Sequence, residues 1–589
     1  MSKTVYLLSG GSDLERAAGT AGLLCELAPD SPAVRNRRGC SGPGELLGSR
    51  DLVLKSAHAL VTKLLQHAPL VEGVSLLALY EENLLEHVSA ALQAFNLDRW
   101  IASQGFSHCH FGSYSPWLER LKNVRTVTGS TYEIEASLPP FQSDKWGRGL
   151  QKLWNSRPTP GEVFRRIVPL WSRYGAARAY RKTAEDAPRG GIWFYSTAYT
   201  FTKIGLEYET YLPQKLNYLV EDPTTGGKRL RELGRQSHPL YGWSRPADVP
   251  TRAEVRSLAK QTTDAISAVP LSGTDHVLRE LLLKSEFWEL YLTRWLPFAI
   301  FNRRALQRWF ESVRPEMILV GNAGYERALL LHEDVRHVPT VMLQHGVMHW
   351  VLAVMDEPVD VFLLRGPFFQ RSISEELRRK TVILNFPGSA GTTAAEKPSG
   401  RTSILFITAP MEITELYHHE GKRDILRSLI RVAHDRRRPL IIRVHPMEKI
   451  SSYQRMAAEL QQELGVHIDV SYSQGPGAEE ILSRSCVAAL YASTMFLDCL
   501  RHGIPIVSFG WHWFANQKQY ESEEIFNSAR DLVHLEALLK KGVDGDLPVR
   551  RSGLEQFLAH TRPDEIANFF REVWDSRKSA SVRANHSVA

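Results

Sequence analysis

Between Ser403 and Phe509 short apolar runs alternate with stretches of helical spacing, and that alternation leaves few folds open. The runs are Ser403 to Ile407, Leu440 to Val444, Val466 to Val470, Val487 to Leu490 and Pro505 to Phe509. Helical patterns fall between them, at Lys422 to Ala433, Ser452 to Leu464, Ala478 to Arg484 and Thr494 to Arg501. Strands that read as almost continuously apolar are covered on both faces, and parallel strands need a crossover long enough to hold a helix. The pattern therefore predicts a compact Rossmann-like α/β domain. In such a sheet ligands sit beyond the carboxyl ends of the strands, so the residues that end each run are the first candidates for chemistry.

The same rhythm, more widely spaced, runs through the first half. Its strand candidates are Val5 to Leu8, Ser75 to Tyr80, Ile192 to Tyr195, Leu216 to Val220, Met317 to Val320, Thr340 to Leu343 and Val359 to Leu364. A long helical region, Asp275 to Val313, is expected to be kinked or split by Pro297. The small, polar segment Gly388 to Thr402 lacks periodicity and reads as a linker. These marks divide the chain into an enlarged first lobe, 1–390, with helical insertions at 150–190 and 250–313, then a linker at 391–402. A second lobe is expected over 403–575 and a disordered tail over 576–589. Two such α/β lobes on either side of a linker make a cleft.

A chain of 589 residues can bury sizeable cores without staples, and its five cysteines are widely spaced with no CxxC pair, so reduced thiols are expected. The N-terminal apolar run Val5 to Leu8 is too short for a signal peptide, and no stretch approaches the roughly 20 apolar residues of a membrane span. The expectation is a soluble, cytoplasmic protein. With 72 basic and 65 acidic side chains the formal charge is +7, too mild and too spread to indicate nucleic-acid binding. The excess is local: Val163 to Ala184 holds six basic residues and no acid. There Phe164, Ile167, Val168, Leu170, Trp171 and Tyr174 share one helical arc, with Arg165, Arg166 and Arg173 opposite. That suits either a surface helix packed on its own domain or peripheral contact with an anionic membrane.

Three constellations carry candidate chemistry. In Leu440-Ile-Ile-Arg-Val-His-Pro-Met-Glu448 a buried strand delivers Arg443, His445 and Glu448 to its end, where Arg and His can donate to a phosphate. The competing reading ties Arg443 into the sheet and leaves His445 as a turn residue. In Ala492-Ser-Thr-Met-Phe-Leu-Asp498, Ser493 and Thr494 begin a helix whose amides suit an anion, with Asp498 one turn on; helix capping alone explains the hydroxyls equally. In Thr340-Val-Met-Leu-Gln-His-Gly-Val-Met-His349, Gln344 and His345 leave a strand end beside Gly346, and His345 suits general acid/base work. Two acidic pairs, Glu81/Glu82 and Glu221/Asp222, also end strand candidates. Asp222 is the favoured acceptor base, with solvated turn acids as the alternative. The early Ser9-Gly10-Gly11-Ser12-Asp13 turn lacks the spaced dinucleotide fingerprint.

The order of these segments, from Pro315 to Gly346, VDVFLLRG at 359–366, IIRVHPME and ASTMFLDCLRHGIPIV at 492–507, resembles bacterial surface-polysaccharide glycosyltransferases of the GT-B fold. The similar group has an HP motif and a downstream Ser/Thr motif, and includes CDP-glycerol glycerophosphotransferases, polysialyltransferases and capsular Kdo transferases. The resemblance spans about 230 residues, 315–545. It implies two Rossmann-like lobes facing across a cleft, with the first enlarged. His445 and Pro446 match the HP motif, whose His binds the donor phosphate in the family. Ser493 and Thr494 match the hydroxyl motif, with Asp498 beyond it, and His345 and Gly346 match an HG element near the reacting centre. Arg443 stands where many relatives have Lys, and no segment matches the acidic motif of polysialyltransferases. The implied activity is transfer of a sugar from a CMP- or CDP-linked donor to a cell-surface glycan or lipid-linked glycan, with no metal and no resident cofactor. A UDP-sugar 2-epimerase and an inactive sugar-nucleotide-binding module are the alternatives.

Overall fold

The computed structural model describes residues 4–8, 23–26, 50–71, 74–111, 116–136, 180–196, 199–221, 226–321, 323–344, 350–384, 400–408, 419–445, 448–475, 477–490, 493, 495–509, 527–529, 532–549, 559 and 561–586. The chain is α/β and forms two compact units. One comprises Met1–Leu52, Gln93–Gln142 and Gly391–Phe557; the other comprises Val53–Leu92, Ser143–Ala390 and Leu558–Ala589.

The first unit holds a small sheet of β1 (Thr4–Leu8), β2 (Leu23–Glu26), β3 (His108–Phe111) and β4 (Glu133–Ala136), in the order β2-β1-β3-β4 and parallel throughout. Only β1 was expected from the sequence. Buried Asp98 steadies the entry to β4 by accepting from Tyr132 Oη at 2.7 Å and Ser130 Oγ at 2.9 Å.

The second unit is built on seven parallel strands: β5 (Ile192–Ser196), β6 (Leu216–Val220), β7 (Ser237–Pro239), β8 (Met317–Val320), β9 (Thr340–Leu343), β10 (Val361–Leu364) and β11 (Thr381–Ile383). Their order is β11-β10-β9-β8-β5-β6-β7, a Rossmann order extended by one strand. Both faces are covered, so β5 and β8 are buried at every position. The expected helical region is divided at Lys284–Ser285, and ahead of Pro297 it carries a local π turn without leaving the helix. A π-helical turn, Tyr291–Trp295, leads into the helix Leu296–Val313 with the proline in its first turn, where no amide hydrogen is needed.

Two expectations fail in this unit. Ser75 to Tyr80 is not a strand: an antiparallel pair of Leu70–Val71 with Val74–Ser75 gives way to a 3-10 turn, Ala78–Tyr80, and the helix Glu81–Ser103. A short apolar run does not distinguish strand from buried helix, and Glu81 and Glu82 sit at a helix start, where the dipole favours acids. The last helix, Pro563–His586, continues past residue 576 where a disordered tail was expected. Its Ile566, Phe570 and Trp574 enter the core of the seven-stranded sheet, and Phe570 meets Tyr208 edge-on at 5.9 Å. An apolar face on that helix finds its cover there.

Arg327, fully buried, ties the unit's interior together. It donates to Glu81, to Ala78 O at 3.2 Å and to Glu357 Oε2 at 2.9 Å. Burial raises the Glu357 carboxyl to about 7, against the opposing pull of Arg327 and with the help of Glu82 and Glu81.

The six-stranded sheet of the first unit comprises β12 (Ser403–Ile407), β13 (Leu440–Arg443), β14 (Val470–Ser473), β15 (Ser485–Leu490), β16 (Ile506–Phe509) and β17 (Asn527–Ala529). The order is β14-β13-β12-β15-β16-β17, parallel throughout, which is the Rossmann order. The strand expected at Val466 to Val470 begins only at Val470. Apolar faces of the helices His419–Asp435, Ile450–Leu464 and Leu532–Asp544 close its core. The last of these approaches β15 so closely that a Cβ built on Gly542 would stand 2.5 Å from Val487 Cγ2.

Candidate functional site

The strand order of the six-stranded sheet reverses between β12 and β15, and ligands bind such sheets outside the carboxyl ends of the strands at that point. Thr408 follows β12 directly and is 1% exposed; its amide donates to Arg443 O at 3.0 Å. Its Oγ1 accepts from the His445 amide at 2.8 Å and donates to Glu448. The His445 backbone is thus tied to the strand beside the reversal.

Glu448 serves as the collecting acceptor of this loop. Its Oε1 takes Lys422 Nζ at 2.6 Å and Tyr453 Oη at 2.8 Å, while Oε2 takes Thr408. Lys422 also lies 5.3 Å from the Tyr453 ring centroid. From the far side, Gln474 Nε2 donates to His445 O at 2.8 Å and to Glu448 O at 2.9 Å. Partial burial lowers the His445 pKa from its ordinary value, with the Glu448 carboxylate pulling the other way, so burial favours the neutral imidazole. A neutral imidazole offers one N–H donor and one lone pair.

Arg443 is committed to the sheet. Its Nη1 donates to Ser473 Oγ at 2.6 Å and its Nη2 to Gly475 O, and desolvation lowers its pKa. Gly475 adopts φ +80, a conformation that glycine reaches without strain. Ser493 Oγ accepts from the Met495 amide at 3.4 Å and begins the helix Met495–Arg501. Asp498 pairs with Arg501 Nη1 at 3.1 Å. Thr494 and Pro446 lie outside the described residues.

In the second unit Gln344 follows β9 and is buried. Its amide donates to Leu363 O at 3.0 Å and its Oε1 accepts from the Arg365 amide at 2.8 Å, which joins the ends of β9 and β10. His345, Gly346 and Asp222 lie outside the described residues, as do Arg165, Arg166 and Arg173. Glu221, beside Asp222, follows β6; its Oε1 accepts from Tyr195 Oη and from Asn302 Nδ2 at 3.1 Å. Glu81 ends no strand and is held by Arg327.

Sequence reasoning missed Thr408, Lys422, Tyr453 and Gln474. Thr408 ends an apolar run and was reachable by the rule that singled out His445, whereas Lys422 looks like an ordinary surface charge on a helix. Among the described residues no group of three or more His, Cys, Asp or Glu side chains is placed to hold a metal ion. Among them, too, no helix is long and apolar enough to cross a membrane.

Residues 415–519, which contain this loop, match the family model of capsule polysaccharide biosynthesis proteins. No curated protein matches the chain. Solved structures similar to it include the UDP complex of MnaA from S. aureus, at 10% identity and TM-score 0.40, covering 65% of this chain and 96% of that one. The glycosyltransferase SnogD from Streptomyces nogalater is similar at 12% identity and TM-score 0.38, covering 66% of this chain and all (100%) of its own. MurG from Acinetobacter baumannii is similar at 10% identity and TM-score 0.38, again covering 66% and 100%. The match over 415–519 agrees with the resemblance to surface-polysaccharide enzymes at its general level.

Proposed function

We propose that this chain is a nucleotide-sugar-dependent glycosyltransferase of bacterial surface-polysaccharide synthesis. The supporting observation is a coincidence of position. The segment that matches the capsule polysaccharide biosynthesis family, 415–519, is the one that carries His445 to the carboxyl edge of a Rossmann-ordered sheet, one strand from its reversal point.

In this reading His445 donates to the donor's phosphate and Ser493 and Thr494 supply further donors from the start of the helix Met495–Arg501. Charge that develops on the leaving phosphate meets preorganised hydrogen-bond donors, which is where such sites gain most of their rate. Arg443 acts through Ser473 and Gly475, and Glu448 through the loop, so neither is placed on the phosphate. On the acceptor side His345 and the Glu221/Asp222 pair remain the candidate acid and base. The CMP- or CDP-linked donor and the lipid-linked acceptor follow from the resemblance alone, while membrane contact through Arg165, Arg166 and Arg173 rests on the basic, amphipathic pattern of that segment.

A thermal-shift series with CMP, CDP, UDP, GDP and TDP tests the reading, because a ligand that binds only the native state raises apparent stability. At least one nucleotide is expected to raise Tm in the wild-type protein and to lose that effect in His445→Ala. No shift with any nucleotide, or an unchanged shift in the variant, would reject the site. Epimerised nucleotide sugar formed without an acceptor would reassign the reaction.

A further inference from the structure

We propose that Thr408, Glu448, Lys422 and Gln474 are positioning residues that set the His445 loop in its phosphate-binding geometry without touching the donor; this rests on the donor-site reading above.

The hydrogen-bond inventory carries the inference. A threonine hydroxyl has one proton to give, and Thr408 gives it to Glu448 while accepting from the His445 amide. The Gln474 amide group has two protons, and both go to this loop, one to His445 O and one to Glu448 O. The peptide units on both sides of His445 are therefore held, from β12 through the hydroxyl and from the segment after β14 through the amide. Glu448 stands at the root of the chain of contacts, fixed by Lys422 and Tyr453 from two different helices.

The cost of this arrangement points the same way. The Lys422 and Glu448 side chains are 4% and 7% exposed, and an ion pair so far out of water returns little net stability over an apolar pair of the same shape. What such a pair supplies is a fixed geometry. Here the geometry it fixes is that of a loop whose histidine follows β13, one strand from the reversal point, and is tied through Thr408 to β12 beside it. An imidazole that must meet a phosphate oxygen gains from being held in place beforehand, because the ordering is then complete before the ligand arrives.

Among the described residues, the charged and titratable groups that the contacts of the loop bring in are Glu448 itself, Lys422 from the helix His419–Asp435, Tyr453 from the helix Ile450–Leu464 and Arg443 on β13. The test uses the full chain and two readouts. Isothermal titration with CMP, CDP and UDP is run on wild type, Thr408→Val, Thr408→Ser, Gln474→Ala and His445→Ala. Separately, the His445 imidazole is titrated by NMR in the unliganded protein, assigned by its loss in His445→Ala, and compared with Glu448→Gln.

Thr408→Val is expected to weaken nucleotide binding about tenfold, the equivalent of one lost hydrogen bond, while Thr408→Ser stays close to wild type. Gln474→Ala is expected to weaken it severalfold, and being a change at a partly exposed side chain it remains informative if Thr408→Val fails to fold. In Glu448→Gln the His445 titration is expected to move to lower pH, since the carboxylate that draws it upward is gone. Wild-type affinity in both Thr408→Val and Gln474→Ala, with binding abolished in His445→Ala, would overturn the positioning role alone. So would an unmoved His445 titration in Glu448→Gln. Wild-type affinity in His445→Ala would overturn the donor site and this proposal with it.

Discussion

Lys422 Nζ lies 2.6 Å from Glu448 Oε1, with both side chains almost wholly withdrawn from water. Removing one partner strands a buried charge. Lys422→Met is expected to destabilise its unit by about 3–5 kcal/mol, whereas the pair Lys422→Met with Glu448→Gln recovers a good part of that loss. Denaturant unfolding of both variants measures the coupling. Equal stability in the single and double variants would show that the carboxylate does not need its lysine.

Glu357 gives the second unit a distinct dependence on pH. Its folded-state value of about 7 lies above the ordinary 4.5. The native state therefore holds this proton more tightly than the unfolded chain does, and the group's contribution to stability is complete below about 4.5 and is lost as pH rises through about 7. Glu357→Gln cannot ionise. Unfolding midpoints measured from pH 4.5 to 7.5 should therefore fall less steeply in the variant than in the wild type, and parallel profiles would contradict the buried placement.

Gly542 has no room for a methyl group. Val487, on which an added Cβ would press, is 0% exposed in the middle of β15 and cannot move aside cheaply. Gly542→Ala is expected to cost about 1–3 kcal/mol despite the better helix propensity of alanine. Val487→Ala in the same background should restore part of the loss, and thermal or denaturant unfolding of the two variants decides it.

Phe570 reaches the seven-stranded core from the last helix and is fully buried beside Tyr208. Phe570→Ala is expected to cost about 3–5 kcal/mol, with little effect on the six-stranded sheet. Amide exchange would show the loss in β5, β6 and β8 and spare β12 to β15. Uniform loss across all of these strands would mean that the helix supports both units alike.

What the sequence revealed follows from how the strands are covered. Runs such as Ile192 to Ser196 and Ser403 to Ile407 are buried on both faces, so nearly every position is apolar and the runs stand out against the helical spacing between them. The strands Leu23–Glu26, His108–Phe111 and Glu133–Ala136 carry acids or histidines within four residues, and nothing in their composition separates them from loops. The candidate site divides the same way. His445 was legible because a strand ends just before it. The commitments of Arg443 to Ser473 and Gly475 and of Glu448 to Lys422 were not, because each partner is 26 to 32 residues away and is brought near only by the crossover helices and strand order.

The two units exchange the chain repeatedly: each is made of three segments, so there are five junctions between them. The seven-stranded sheet obtains the helix that closes its core from Pro563–His586, after all of 391–557 has been made. On the ribosome this sheet therefore waits, its apolar face beneath that helix uncovered, until those residues have emerged. A protein ended at residue 390 would keep every strand of the sheet and still lack its lid, which makes exposure of that face, and the aggregation that follows, the expected fate of an isolated 1–390 fragment.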